Sequence, residues 1–146
     1  MKRLHVKLLI TVAAVSLLFS NSLAAQTSPY SPKVLPPASR AAHVRITRGP
    51  EPESANDKSA IIRWTSNNPG GSDEHYGVVH YGTNPKELSQ TAKSHIRLNQ
   101  NHSYTVFRVR VEGLAPQTKY YYTVDSMSAN GTSDGVKCTI KYFSTR

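Results

Sequence analysis

The sequence is short of cysteine, of acidic side chains and of long apolar runs, and each shortage excludes something. Cys138 is the only cysteine in 146 residues, so no internal disulfide forms and no thiolate metal cluster is built. Stability has to come from packing, and a lone thiol inside a strand pattern reads as a buried, inert side chain. Acidic side chains number 9 against 18 Lys and Arg. Three of the basic ones, Lys2, Arg3 and Lys7, fall in the leader described below, which leaves 15 against 9 in the rest of the chain. Those 15 are spread singly from Lys33 to Arg146, with no stripe of stacking aromatics between them, and this argues against a specific nucleic-acid partner. The chain has no Gly-x-Ser-x-Gly turn, no glycine-rich phosphate loop and no His, Cys, Asp and Glu at metal-ligand spacing. The reading is therefore a non-enzyme with no cofactor and no metal.

The one long apolar run, residues 8–19, follows a basic start and precedes Ser20-Asn21-Ser22-Leu23-Ala24-Ala25. Its length is below what spans a bilayer, and small residues sit where a signal peptidase cuts, so 1–25 reads as a cleaved export signal. Residues 26–42 carry Pro29, Pro32, Pro36 and Pro37 among Ser, Thr and Ala, the composition of an extended linker. The expectation is a secreted, extracytoplasmic monomer with no stable membrane insertion once the leader is removed.

Residues 43–146 change character, to short β-rich runs broken by turn residues about every ten positions. The runs are 43–47, 59–65, 75–81, a weak one at 87–92, 104–112, 119–127 and 136–144. Breaks fall at Gly49-Pro50 with Pro52, at 67–71, at 82–85, at 99–101, at Gly113 with Pro116, and at Asn130-Gly131 with Gly135. No stretch keeps a helical period, and seven strands at this spacing predict an all-β, seven-stranded antiparallel β-sandwich of immunoglobulin-like kind. Alternation then sorts the faces. Ala60, Ile62 and Trp64 point inward with Arg63 outward; Phe107, Val109 and Val111 point inward with Arg108 and Arg110 outward; Tyr120, Tyr122 and Val124 point inward with Tyr121 outward. In the last run Val136, Cys138 and Ile140 are expected inward. The predicted core is Ile62, Trp64, Val79, Phe107, Val109, Leu114, Pro116, Tyr120, Tyr122 and Val124.

The stretch from Leu114 through Pro116 to Tyr120, Tyr122 and Val124 has the makings of a tyrosine corner, in which the Tyr120 hydroxyl folds back onto the turn. With Trp64 on the second strand, it resembles the core signature of fibronectin type III domains over residues 43–146. A closer resemblance runs through Val44 to Pro50, Ser59 to Trp64, Val79 to Leu88, Leu114 to Tyr122 and Tyr142 to Thr145. Together these are similar to the N-terminal sandwich of purple acid phosphatases. In that family a separate metallophosphatase domain follows and holds both metal ions. Its blocks (Asp-x-His, Gly-Asp-x-x-Tyr, Gly-Asn-His and Gly-His-x-His) are not found here as a set, so the resemblance implies fold and habitat, not activity.

Several residue groups are candidates for function. Asp73-Glu74-His75 imitates the first of those blocks, but a metal site needs three or more converging ligands, and His80, His95 and His102 lie at no ligand spacing from it. Asn101-His102-Ser103 and Asn130-Gly131-Thr132 fit the pattern for N-linked sugar and are read as turn residues. Outward Tyr and Arg offer contact area and directed bonds to a macromolecule. Tyr76, Tyr104, Arg108, Arg110 and Tyr121 form the candidate binding surface. The function expected is a non-enzymatic module for extracellular protein or polysaccharide. The alternative is a detached accessory domain of a purple acid phosphatase-like metallophosphatase system.

Overall fold

The computed structural model describes residues 39–71, 74–98, 101–136 and 138–146. The expected export leader, most of the proline-rich segment and Asp73 lie outside the described residues. Among the described residues seven strands are formed: β1 (Ile46–Ala55), β2 (Ser59–Asn67), β3 (Glu74–Gly82), β4 (Gln90–Arg97), β5 (Tyr104–Glu112), β6 (Lys119–Ser128) and β7 (Lys141–Ser144). They make a three-stranded sheet in the order β1-β2-β5 and a four-stranded sheet in the order β4-β3-β6-β7. All pairings are antiparallel, and no helix occurs among the described residues. The fold is thus the expected two-sheet all-β sandwich.

Strict alternation makes β2, β5 and β6 the spine of the molecule, because each has one face that must leave water. The β2 and β5 ladder is unbroken from Ser59 opposite Glu112 to Asn67 opposite Tyr104. Trp64 and Phe107 are cross-strand partners whose rings stack 5.0 Å apart at an interplanar angle of 10°. Ile62, Trp64, Val79, Phe107, Val109, Leu114, Tyr120, Tyr122 and Val124 are all buried in one cluster. Each of these large apolar side chains contributes roughly 1.5 to 3 kcal/mol by leaving water.

Gly77 lets the second sheet approach that stack. A Cβ there would lie 2.8 Å from Val109 Cγ2, 3.1 Å from Trp64 Cη2 and 3.2 Å from Phe107 Cδ1, so the absence of a side chain on β3 is what makes room for the indole.

Pro116 is the exception among the predicted core residues, for it is exposed. The corner is held instead by Tyr120, whose hydroxyl accepts the Ala115 N–H at 2.9 Å while its ring stacks on Phe143 at 5.7 Å. The proline acts through the backbone, where its carbonyl accepts the Thr118 hydroxyl at 2.8 Å.

Three strands depart from their expected ranges by more than two residues. β1 passes straight through Gly49, Pro50 and Pro52, which were expected to end it. It survives because it is an edge strand, where proline costs no central ladder bond, and because irregularities between Ile46 and Arg48, Arg48 and Glu51, and Pro52 and Ser54 absorb the misfit. β4 begins at Gln90 rather than Glu87, since Glu87 belongs to a turn in which its N–H bonds the Asn84 carbonyl at 3.1 Å.

The last expected strand, 136–144, is regular only from Lys141. Before that the chain follows β6 loosely, through the Asp134 N–H to the Ser126 carbonyl at 2.8 Å. Further on, the Val124 N–H donates to Cys138 Sγ at 3.1 Å. A side chain there takes the place of a carbonyl, and the inward phase slips by one. Val136 remains buried, but Ile140 is 49% exposed and Phe143 is the buried residue of β7. Cys138 is half-buried rather than buried.

Candidate binding surfaces

On the outer face of the β1-β2-β5 sheet, the arginines are drawn to neighbouring carboxylates. Arg108 makes a two-pronged bond to Glu53 across from β5 to β1, with Nε to Oε2 at 2.8 Å and the second nitrogen to Oε1 at 2.9 Å. This bond holds the Glu53 carboxyl below its ordinary range and raises the guanidinium. Arg63 lies 3.9 Å from Glu51, and Arg110 lies 3.9 Å from Glu112. Such exposed pairs add little stability, but they leave Arg108 already engaged within its own sheet.

Tyr104, 48% exposed, stands at the start of β5 with its ring edge-on to His102 at 5.4 Å. It helps to line a shallow groove of about 260 Å³ together with Arg97, His102, Thr105 and Val106.

The outer face of the four-stranded sheet is different. Tyr76 is half-buried and meets His95 edge-on at 5.5 Å. Towards the other end of that face Tyr121 pairs with Tyr142 across β6 and β7, their rings tilted and 6.4 Å apart. Lys119 Nζ lies 4.0 Å from the Tyr142 ring centre and 5.5 Å from that of Tyr121, a cation over two aromatic rings. Tyr142 is 62% exposed.

The sequence-derived surface is therefore divided. Tyr104, Arg108 and Arg110 lie on one sheet, and Tyr76 and Tyr121 on the other. Alternation tells outside from inside but not which of two outsides, so the five residues do not form one patch. Tyr142 was missed because an unbroken alternation from Val136 would turn it inward. The signal that could have found it is Phe143, the better core residue of the two.

The other sequence candidates take structural positions. His75 is fully buried and faces the interior, with Nε2 3.2 Å from Asp134 Oδ1. Among the described residues no group of three or more His, Cys, Asp or Glu is placed to hold a metal ion. His80 bonds the Thr91 hydroxyl at 3.3 Å. Asn130 accepts the Thr132 N–H at 3.0 Å and the Ser128 hydroxyl at 2.6 Å, as a turn residue does. Asn101 is exposed in the loop before β5.

Among solved structures, the chain is similar to the sensor domain of the anti-sigma factor RsgI4 in Pseudobacteroides cellulosolvens. The two are 16% identical, with 70% of this chain and 74% of that one covered and a TM-score of 0.46. It is similar to the FN5 domain of Drosophila Lar at 16% identity, covering 75% and 97% of the two chains, with a TM-score of 0.40. It is also similar to the third fibronectin III domain of the human KIAA0343 protein at 15% identity, covering 84% and 92%, with a TM-score of 0.35. No curated protein matches. The family described as Purple acid Phosphatase, N-terminal domain, matches residues 43–140, most of the chain and all of its strands except β7. On that match the chain belongs to the purple acid phosphatase N-terminal domain family.

Proposed function

We propose that this domain is a non-enzymatic binding module, exported by the 1–25 leader, that recognises an extracellular protein or polysaccharide through the Lys119, Tyr121 and Tyr142 corner of its four-stranded sheet. The observation that carries the reading is the 62% exposed ring of Tyr142 beside Tyr121 and under a lysine ammonium. Paired rings give a partner contact area at small entropic cost, and the cation adds a directed charge. The test is a pull-down from the native extracellular fraction with wild type and with a Tyr121→Ala, Tyr142→Ala double variant. A partner retained by the wild type and lost from the variant supports the reading; identical profiles contradict it.

Family membership favours a second reading, an accessory domain for a separately encoded metallophosphatase. Purified protein assayed with a chromogenic phosphate ester and added iron, zinc or manganese is expected to match a metal-only blank. Turnover well above the blank overturns the non-enzymatic claim. Stimulation of a co-purifying phosphatase supports the accessory role.

A further inference from the structure

Buried polar side chains gather towards one end of the sandwich, although Thr145 and the hydroxyl of Tyr122 are buried elsewhere. Beyond the Trp64 and Phe107 pair, the next inward residues on β2 and β5 are Ser66 and Thr105, again direct partners. In the other sheet His75 is the inward residue before Gly77 on β3, and Gly77 itself lies against Trp64 and Phe107. Diagonal to His75 on β6 is Ser126, the partner of Gly77. Asp134 closes the group through its contact with His75 at 3.2 Å. All five residues are buried, with relative exposures of 0% for Ser66, 5% for Thr105, 1% for His75, 0% for Ser126 and 8% for Asp134. Each presents a buried atom without a hydrogen-bond partner in the protein: Ser66 Oγ, Thr105 Oγ1, His75 Nδ1, Ser126 Oγ and Asp134 Oδ2.

A single buried polar atom without a partner is already costly. Five such atoms on neighbouring strands are a heavy cost in a domain whose whole stability is marginal. We infer that this layer is a binding site for ordered internal water, holding about two molecules, since a buried water makes about three hydrogen bonds. The chemistry suits water better than an ion. Hydroxyls both donate and accept, the imidazole and carboxylate complete the mixture, and one imidazole with one carboxylate falls short of a metal ligand set. Thr105 also lines the outer groove with Arg97, His102, Tyr104 and Val106, so the layer lies one side chain from solvent and exchange does not require unfolding. The water ties β2, β3, β5, β6 and the Asp134 segment together where the core has no apolar contact to offer.

The test uses the sign of an isosteric change. Thr105→Val keeps shape and deletes the hydroxyl. With water bound, the melting temperature falls by roughly 4 to 8 °C, the shift one net hydrogen bond produces in a domain of this size. In a dry layer the same change removes an unpaired hydroxyl and raises the melting temperature, which overturns the inference. Oxygen-17 relaxation dispersion on the wild type is independent of any variant. Long-lived internal water, diminished in a Ser66→Ala, Ser126→Ala variant, supports the site; no long-lived water overturns it. Zinc chloride that stabilises the wild type but not Asp134→Asn also overturns it, in favour of an ion.

Discussion

Replacing Gly77 with alanine tests the packing of the two sheets at its tightest point. The added methyl would meet Val109 Cγ2 at 2.8 Å, Trp64 Cη2 at 3.1 Å and Phe107 Cδ1 at 3.2 Å, whereas carbon atoms prefer about 3.5 to 4.0 Å. None of the three has room to retreat, since Trp64 and Phe107 are stacked on each other and Val109 is fully buried. Overpacking of this kind costs roughly 1 to 3 kcal/mol. Alanine gains back roughly 0.5 to 1 kcal/mol by restricting the unfolded chain. A 2.8 Å approach to a fully buried side chain puts the overpacking cost in the upper half of its range, about 2 to 3 kcal/mol, so the net loss is about 1 to 2.5 kcal/mol, or a fall in melting temperature of roughly 4 to 20 °C. Trp64 is the only tryptophan, so equilibrium urea unfolding followed by its fluorescence reads both the stability and the environment of the indole. A variant as stable as the wild type, with unchanged emission, would refute the reasoning, because the second sheet would then not be seated on the stack.

Tyr120→Phe keeps the ring on Phe143 but deprives the Ala115 N–H of its acceptor. A loss of roughly 1 kcal/mol is expected in the same urea assay, and no loss would show that the corner is held by packing alone. Burial pushes the Tyr122 hydroxyl up to about 12 from an ordinary 10.0, and it raises the Cys138 thiol above its ordinary 9.0. The folded state thus holds these protons more tightly than the unfolded chain. Their contribution is fully present below about pH 9 and is lost as pH rises towards 12. Melting temperature measured from pH 7 to 11.5 should fall at the alkaline end, less steeply in Tyr122→Phe; a flat profile contradicts the burial of both groups. The raised, half-buried Cys138 thiol should react with an aromatic disulfide reagent at pH 8 more slowly than free cysteine. Urea should restore the rate, whereas a fast native reaction would mean an open thiol.

The parts of the fold that were legible in the sequence are those fixed by short-range rules. Alternation in β2, β5 and β6 names the core because one face of each strand is covered and the other is wet. The tyrosine corner is legible because donor and acceptor are five residues apart. What was not legible depends on distant partners. β1 runs through two prolines only because nothing pairs with its outer edge within its sheet. The phase of β7 is set by Cys138 meeting Val124, and that slip turns Tyr142 outward. Arg108 was read as an open recognition residue, but its carboxylate partner lies 55 residues earlier. His75 was weighed with its sequence neighbours, whereas its actual partner, Asp134, is 59 residues away. The binding surface suffered most, since side-chain parity along a strand carries no information about which sheet the strand joins.

The closure of the two sheets on Trp64 and Phe107 sets the whole fold. Its most direct test is a nuclear Overhauser experiment on labelled protein, observing the Gly77 α-protons. They are predicted to show strong cross-peaks to the indole of Trp64 and the ring of Phe107, and to be displaced from ordinary glycine positions by those rings. Gly77 α-protons at ordinary shifts, with no contact to either ring, would contradict the account.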